Sequence, residues 1–217
     1  MKEKRTARRQ EYKDRQRQEI MNEALKLFSA RGYHHVSMQD IAHEAEFAVG
    51  TLYKFFKNKE ELYRAIILDL SEKFSIALGE SLEQGEDEYE RLISYLKIGG
   101  EIFMANTQAV SLYFVETRGA GFNLRAGLDE EVMHRYDQIL EWLSNVFETG
   151  IEHGIFRPLD SDYLARSLDS LACTFLFAWL DDPQKYPYEK SLRMIDEIFF
   201  HNILVADSGV RLGSCNG

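Results

Sequence analysis

Apolar residues recur along most of this chain at the spacing of an α-helix. The first stripe, at i, i+4, i+7 and i+8, consists of Ile20, Ala24, Leu27 and Phe28. Residues at these spacings share one face of a helix, which can then pack against other helices. All three prolines lie at or after position 158, and a long stretch without proline favours helices because proline removes a backbone donor. The pattern predicts an all-α protein of about nine helices.

Turn signals between the apolar stripes set the helix bounds. Gly32 follows the first stripe, and glycine accepts the left-handed backbone conformation beyond a helix end. Ser37 precedes the second stripe, where its side chain can accept a backbone hydrogen bond. The predicted helices cover 13–31, 38–45, 49–56, 59–79, 88–105, 107–117, 128–151, 160–181 and 188–205. We find no convincing strand, internal repeat or low-complexity segment.

Charge is distributed unevenly along the chain. Residues 1–59 hold 13 Lys and Arg against 8 Asp and Glu, a net charge of +5. The remainder carries −15, and the whole chain −10. A basic amino-terminal segment on an acidic body favours a polyanionic partner for that segment, although the total charge alone argues against nucleic acid.

The composition gives no sign of a secreted, membrane or metal-binding protein. Cys173 lies in an apolar run and Cys215 in a Gly- and Ser-rich tail, so the two thiols form neither a disulfide framework nor a metal-ligand spacing. The charged amino terminus lacks the apolar core of a secretory signal, and no apolar run approaches the ~20 residues that cross a bilayer. We therefore expect a cytoplasmic protein without membrane contact, metal or cofactor.

The sequence offers little support for an enzyme. Glu131 and His134 have the Glu-x-x-His spacing of di-iron bundles, but such sites need a second pair and further inward carboxylates, which we do not find. No nucleophile elbow, phosphate loop or dinucleotide fingerprint is present. We expect no enzymatic activity.

Two short predicted helices joined by a tight turn follow the first long helix, as in a DNA-binding helix-turn-helix. Residues 36–45, VSMQDIAHEA, and residues 49–62, VGTLYKFFKNKEEL, resemble the DNA-binding domain of the tetracycline-repressor (TetR) family. The resemblance covers about residues 15–65. It implies a homodimer that binds a palindromic operator in double-stranded DNA, because a two-fold site matches a two-fold protein.

The resemblance also implies which residues contact DNA. Gly50 would let the recognition helix approach the duplex, Thr51 and Tyr53 would donate hydroxyls to phosphates, and Lys59 would pair with a phosphate. The implied contact residues are Ser37, Gln39, Val49, Gly50, Thr51, Tyr53, Lys54, Phe55 and Lys59.

Three residues depart from the family pattern. Glu46 stands where the turn usually carries glycine, so a non-glycine residue is expected to adopt a strained conformation at roughly 1 kcal/mol. Ala48 replaces a common capping serine, and Phe55 replaces the usual His or Tyr. These departures motivate an alternative function: a helical ligand-binding or partner-docking protein whose helix-turn-helix no longer binds DNA.

The remainder of the chain is expected to sense a ligand and to dimerise. We predict a basic flexible tail over 1–14, the DNA-binding domain over 15–62, a helical effector-binding and dimerisation domain over 63–206, and a disordered tail over 207–217. The last two helices carry more apolar surface than one monomer face easily hides. The predicted interface residues are Leu168, Phe175, Trp179, Ile195 and Phe199.

Aromatic residues are frequent in the middle helices. They predict either a pocket for a small, largely apolar effector or an ordinary aromatic core. Arg118, at the edge of the glycine-rich segment 119–127, could meet an anionic head group or be a surface arginine. The candidate effector residues are Phe103, Tyr113, Phe114, Arg118, Phe122, Trp142 and Phe175. The sequence thus indicates a ligand-responsive transcriptional regulator, with repression rather than activation expected from the family.

Overall fold

The computed structural model describes residues 2–117 and 129–206, and helices account for most of them. Nine helices form in these two ranges: α1 Lys2–Arg31, α2 Met38–Glu44, α3 Val49–Phe55, α4 Lys59–Ser81, α5 Glu88–Ala105, α6 Thr107–Thr117, α7 Glu130–Glu152, α8 Ser161–Asp181 and α9 Tyr188–Ile195. A π-helical turn, Asp196–Phe200, and a last turn, His201–Ile203, continue α9. No strand occurs in the described ranges, where one isolated bridge pairs Phe156 with Leu204. The all-α prediction is confirmed.

The first helix begins much earlier than its apolar stripe predicts. We expected a flexible tail over 1–14, but α1 extends from Lys2. Polar pairs one turn apart support this extension: Gln10 donates to Asp14 over 2.9 Å, and Arg15 pairs with Glu19 over 3.3 Å. Such i, i+4 pairs stabilise a helix without contributing to a hydrophobic period, so a search for apolar spacing does not detect them.

The chain forms two compact units, which differ from the division expected at residue 62. The first unit contains α1 to α3, α4 as far as Ser71, and α6. Its core is a cluster around Ile20, Phe28, Ile41 and Leu52, each at most 1% exposed. Leu112 brings α6 into this cluster.

The second unit contains the rest of α4 from Glu72, α5, most of α7, and α8 and α9. Its core is rich in phenylalanine, and the Phe147 ring packs 5.4 Å from Phe156, centroid to centroid. Gly100 of α5 admits the Tyr188 ring, since a Cβ there would lie 2.0 Å from Tyr188 Cε1. The Tyr188 hydroxyl then donates to the Leu96 carbonyl over 2.5 Å.

None of the helices in the described ranges is long and apolar enough to cross a membrane. The same ranges contain no group of three or more His, Cys, Asp or Glu side chains arranged to hold a metal ion.

Candidate DNA-binding surface and effector cleft

A capping box fixes the start of α2. The Ser37 amide donates to Asp40 Oδ2 over 2.8 Å, and the Asp40 amide donates to Ser37 Oγ over 3.2 Å. These reciprocal bonds satisfy two backbone donors that a helix start leaves open. The hydrogen bonds from Ser37 lower the pKa of Asp40, so the box is complete when that carboxylate is ionised. Met38, Ile41 and Ala42 anchor the buried face of α2.

The turn between α2 and α3 is closed by backbone hydrogen bonds and contains one strained residue. The Phe47 amide donates to the Ala42 carbonyl over 2.9 Å, and the Glu46 amide to the His43 carbonyl over 3.2 Å. Glu46 has φ of 57°, in the left-handed region that a side chain disfavours. The turn is therefore made with a non-glycine residue in the left-handed region, as the sequence predicted.

Helix α3 divides into an inner and an outer face. Leu52 is fully buried, as is Phe56 just after the helix, whereas Tyr53 is 48% exposed. Gly50 and Lys54 lie on the exposed side. A Cβ on Gly50 would meet no atom within 4 Å, so packing inside the protein does not require glycine at this position.

The implied DNA contacts fall into two groups in the structure. Ser37, Gln39, Gly50, Tyr53 and Lys54 are exposed. Thr51 and Lys59 are half-buried, and Val49 and Phe55 pack partly against the core of the first unit. Ala48, at the start of α3, makes no side-chain cap, as its residue type predicts.

Lys59 has intramolecular contacts that the sequence did not suggest. Its Nζ donates to the Tyr33 carbonyl over 2.8 Å and lies 4.4 Å from the centre of the Tyr33 ring. These contacts connect the start of α4 to the short 3₁₀ turn Tyr33–His35. An ammonium has three donors, so one hydrogen bond to the protein leaves donors for a phosphate.

Arg17, one of the basic residues of the amino-terminal segment, lies near this surface although it is not among the implied contact residues. Its guanidinium lies 5.2 Å from the centre of the Phe56 ring, beside the carboxyl end of α3. The contact fixes how α1 passes α3.

The candidate effector residues that the structure describes are divided between the two units. Phe103 packs edge-on against Phe177 and Trp179, and Phe175 packs against the core of the second unit. Tyr113 belongs to the first unit, where burial raises its pKa to about 12. Arg118 and Phe122 lie outside the described residues, as does the side chain of Phe114.

Trp142 lines a cleft of about 720 Å³ in the second unit. The Trp142 ring packs closely against Gly79 of α4: a Cβ at that position would lie 3.0 Å from Trp142 Cζ3. The lining residues are Gly79, Glu80, Leu82, Glu83, Arg91, Trp142, Asn145, Val146 and Thr149. Arg91 Nε is buried and donates to no acceptor in the described part of the chain. A buried donor of this kind favours a bound group that accepts its hydrogen bond.

A buried carboxylate lies elsewhere in the second unit. Asp169 of α8 accepts hydrogen bonds from the hydroxyls of Tyr136, over 2.7 Å, and Tyr95, over 3.2 Å. Burial raises the pKa of Asp169, although both hydrogen bonds act in the opposite direction. The cluster joins α5, α7 and α8 through polar contacts.

The residues proposed for dimerisation differ in exposure. Leu168, Ile195 and Phe199 are enclosed in the core of their own unit, which leaves them little area for a partner. Phe175 and Trp179 are half-buried. The exposed apolar side chains on the same helices are Tyr163, at 73%, and Ile198, at 47%.

Two short helices that meet at a tight turn, a buried inner face on α3 and an exposed polar outer face define a helix-turn-helix protein. Residues 20–66 match the family model of bacterial regulatory proteins, tetR family. Over these residues the chain is similar to bacterial regulatory proteins of the tetR family, which are DNA-binding regulators.

Relatives extend the similarity beyond the DNA-binding domain. An uncharacterised HTH-type transcriptional regulator, YhgD of Bacillus subtilis, is 28% identical over 175 residues, 79% of this chain and 86% of that protein. The HTH-type transcriptional repressor KstR2 of Rhodococcus jostii is 29% identical over 149 residues, 67% of this chain and 70% of that protein. The fold matches the crystal structure of a TetR family transcription regulator from Marinobacter aquaeolei at a TM-score of 0.68 and 16% identity, covering 90% and 98% of the two chains.

Proposed function

We propose that this protein is a cytoplasmic repressor that binds a palindromic operator as a homodimer and leaves it when a small, largely apolar effector binds. The observation that carries the proposal is the outer face of α3. Tyr53, Lys54 and Gly50 are exposed there, while Leu52 and Phe56 hold the helix to the core. A helix with exposed polar groups and room at its glycine can enter the major groove.

Repression is supported by a named relative. KstR2 of Rhodococcus jostii is a transcriptional repressor, and its similarity covers two thirds of this chain. A bound regulator of this class blocks transcription as long as its DNA-binding conformation is favoured. An effector releases it only if it binds the other conformation more tightly.

The effector site we propose is the cleft beside Trp142. Its volume falls within the ~300–1,000 Å³ of small-molecule sites. Leu82, Trp142 and Val146 supply apolar surface, and Arg91 supplies a donor without an acceptor in the described residues. Glu80 and Glu83 at the same cleft disfavour a highly charged anion. The cleft therefore fits an apolar molecule with one accepting head group.

Selection of bound duplexes from a random pool tests the DNA-binding part of this function. We expect the purified protein to enrich a palindrome with half-sites about one helical turn apart. If no sequence is enriched, the alternative of a degenerate helix-turn-helix, motivated by Glu46, Ala48 and Phe55, replaces this proposal.

The fluorescence of Trp142 can report effector binding in the cleft. The chain has two tryptophans, so Trp179→Phe leaves Trp142 as the sole tryptophan signal. Titration of this variant with decanoate is expected to change the fluorescence saturably, and an added Arg91→Gln should weaken the response about tenfold, since a charge-assisted hydrogen bond is lost. Lys97→Gln, an exposed change on the same helix as Arg91, is the matched control. A linear response, or one that Arg91→Gln leaves unchanged, would exclude this cleft.

A further inference from the structure

The amino-terminal part of α1 extends beyond the core of its unit. From residue 5 onward, Ile20 is the first buried residue of the helix. At 1.5 Å per residue, the segment from Lys2 to Glu19 is about 25 Å long. Its described side chains form no apolar face, so neither a hydrophobic partner nor a lipid surface matches it.

Charge is segregated around this extension. Arg5, Arg9 and Lys13 follow one another at intervals of four residues, which places them on one side of the helix. Glu11 and Asp14 fall mainly on the opposite side. Arg5, Arg9 and Lys13 are exposed, and in the described part of the chain no ion pair is formed by any of the three. A row of three unpaired cations matches the regular phosphate spacing of a nucleic-acid backbone.

The extension leaves the core directly beside the recognition helix. Arg17, which lies over the Phe56 ring at the end of α3, is one turn beyond Lys13. A duplex that accepts α3 in its major groove therefore has backbone phosphates close to the point where the extension begins.

We propose that the surface formed by Arg5, Arg9 and Lys13 binds the phosphate backbone of operator DNA outside the half-site contacted by α3. The proposal rests on the proposed DNA-binding function and adds a second contact region to it. Backbone contacts of this kind add affinity and carry no direct sequence information.

The salt dependence of binding tests this surface. The parent and the triple variant Arg5→Gln, Arg9→Gln, Lys13→Gln are titrated by fluorescence anisotropy against the selected palindrome with ten-base-pair flanks, and without flanks. The matched control, Lys97→Gln, Lys185→Gln, Lys190→Gln, removes three exposed lysines of the second unit. Each phosphate contact contributes about 0.9 to the slope of log K against log salt. A bound dimer of the triple variant lacks six such contacts, so its slope should be shallower by about 5. Flanks should strengthen binding by the parent and by the lysine control but not by the triple variant.

Two further comparisons separate charge from folding and from the function itself. The variant Arg5→Lys, Arg9→Lys keeps both charges and should keep the parent slope. An unchanged slope in the triple variant, or an equal change in the lysine control, overturns the proposal. If the parent binds scrambled duplexes as tightly as the palindrome, the proposed function is contradicted. The salt-dependence slopes of the parent and the triple variant on scrambled duplex then still show whether this surface binds phosphates.

Discussion

Gly50 is the second residue of α3 and has open space on its outer side. Glycine in the middle of a helix is less stable than alanine by roughly 0.5–1 kcal/mol, which sets an upper bound for this first-turn position. We therefore predict that Gly50→Ala raises the free energy of unfolding by at most that amount, while operator affinity falls at least tenfold because the methyl group holds α3 away from the duplex. Urea unfolding and anisotropy titration measure the two effects. A higher free energy of unfolding with unchanged operator affinity would mean that DNA does not approach this position.

The same substitution at Gly100 should have the opposite effect on folding. The new methyl group would overlap the Tyr188 ring, 2.0 Å away at Cε1, inside the core of the second unit. Overpacking of this kind destabilises by about 1–3 kcal/mol. A Gly100→Ala protein as stable as the parent in urea would show that Tyr188 does not occupy this space.

Ser37 caps α2 and is also an implied DNA contact, and its capping role can be measured without DNA. Loss of a capping hydroxyl destabilises a helix by about 0.5–2 kcal/mol. Ser37→Ala is therefore expected to lower the free energy of unfolding by about 1 kcal/mol, and Ser37→Asp, which keeps an acceptor, by less. Equal losses in both variants would contradict the capping role.

At the scale of helices and turns, the connection from α2 to α3 contains a left-handed backbone conformation at a residue other than glycine, Glu46. Glu46 adopts φ of 57°, where glycine is unstrained. We predict that Glu46→Gly stabilises the protein by up to about 1 kcal/mol and leaves operator affinity unchanged or improved. Glu44→Gly, two residues earlier at the last residue of α2, is the contrasting change and should destabilise the protein, because glycine is a poorer helix residue than glutamate.

The buried carboxylate between α5, α7 and α8 predicts a pH effect. Burial raises the pKa of Asp169 above its unfolded value, so the folded state retains a proton that the unfolded state has lost. Its contribution to stability is therefore present below the unfolded pKa, near 3.9, and is lost as the pH rises through the folded pKa. Asp169→Asn should remove this loss, because the amide can hydrogen-bond both tyrosines without a charge.

Urea unfolding of parent and Asp169→Asn from pH 4 to pH 7 measures the difference. Asp40 and Asp129 have lowered pKa values, from hydrogen bonds to Ser37 and Arg64 respectively, and their contribution changes with pH in the opposite sense. It is common to both proteins and cancels in the comparison. A difference that does not grow with pH would contradict the raised pKa.

Helical periodicity predicted most elements because it reports the buried face of each helix directly. Ile20 and Phe28 are core residues, and α5, α6 and α8 begin and end within about one residue of the expected positions. Periodicity does not report which helix packs on which. The place of α6 in the first unit and the contact of Trp142 with Gly79 follow from tertiary packing. The sequence therefore suggested Trp142 as an effector residue but not the other residues of the cleft. Strongly apolar residues such as Leu168 and Ile195 were proposed for a dimer interface, yet they lie in the core of their own unit.

For the whole molecule, the proposed dimer depends on apolar groups that remain exposed. Ile198 is 47% exposed beside the last helix, so a charge there should not disturb the fold. We predict that Ile198→Asp shifts the protein to monomer in sedimentation velocity and weakens operator binding more than tenfold, because the two half-sites no longer bind together. Ile76→Asp, at 54% exposure on α4, is the control. A dimeric Ile198→Asp protein would place the interface elsewhere.

The most direct test of DNA recognition by α3 is to measure the affinity of Tyr53→Ala for the selected palindrome and for a scrambled duplex at physiological salt. Tyr53 is exposed on α3, so its removal should leave the fold intact, whereas Tyr186→Ala removes a tyrosine that is 38% exposed in the second unit. We predict that Tyr53→Ala binds the palindrome about tenfold or more weakly and loses affinity for the scrambled duplex as well, because a phosphate contact acts on both, and that Tyr186→Ala matches the parent. Equal affinity of parent and Tyr53→Ala for the palindrome would contradict recognition of DNA by α3.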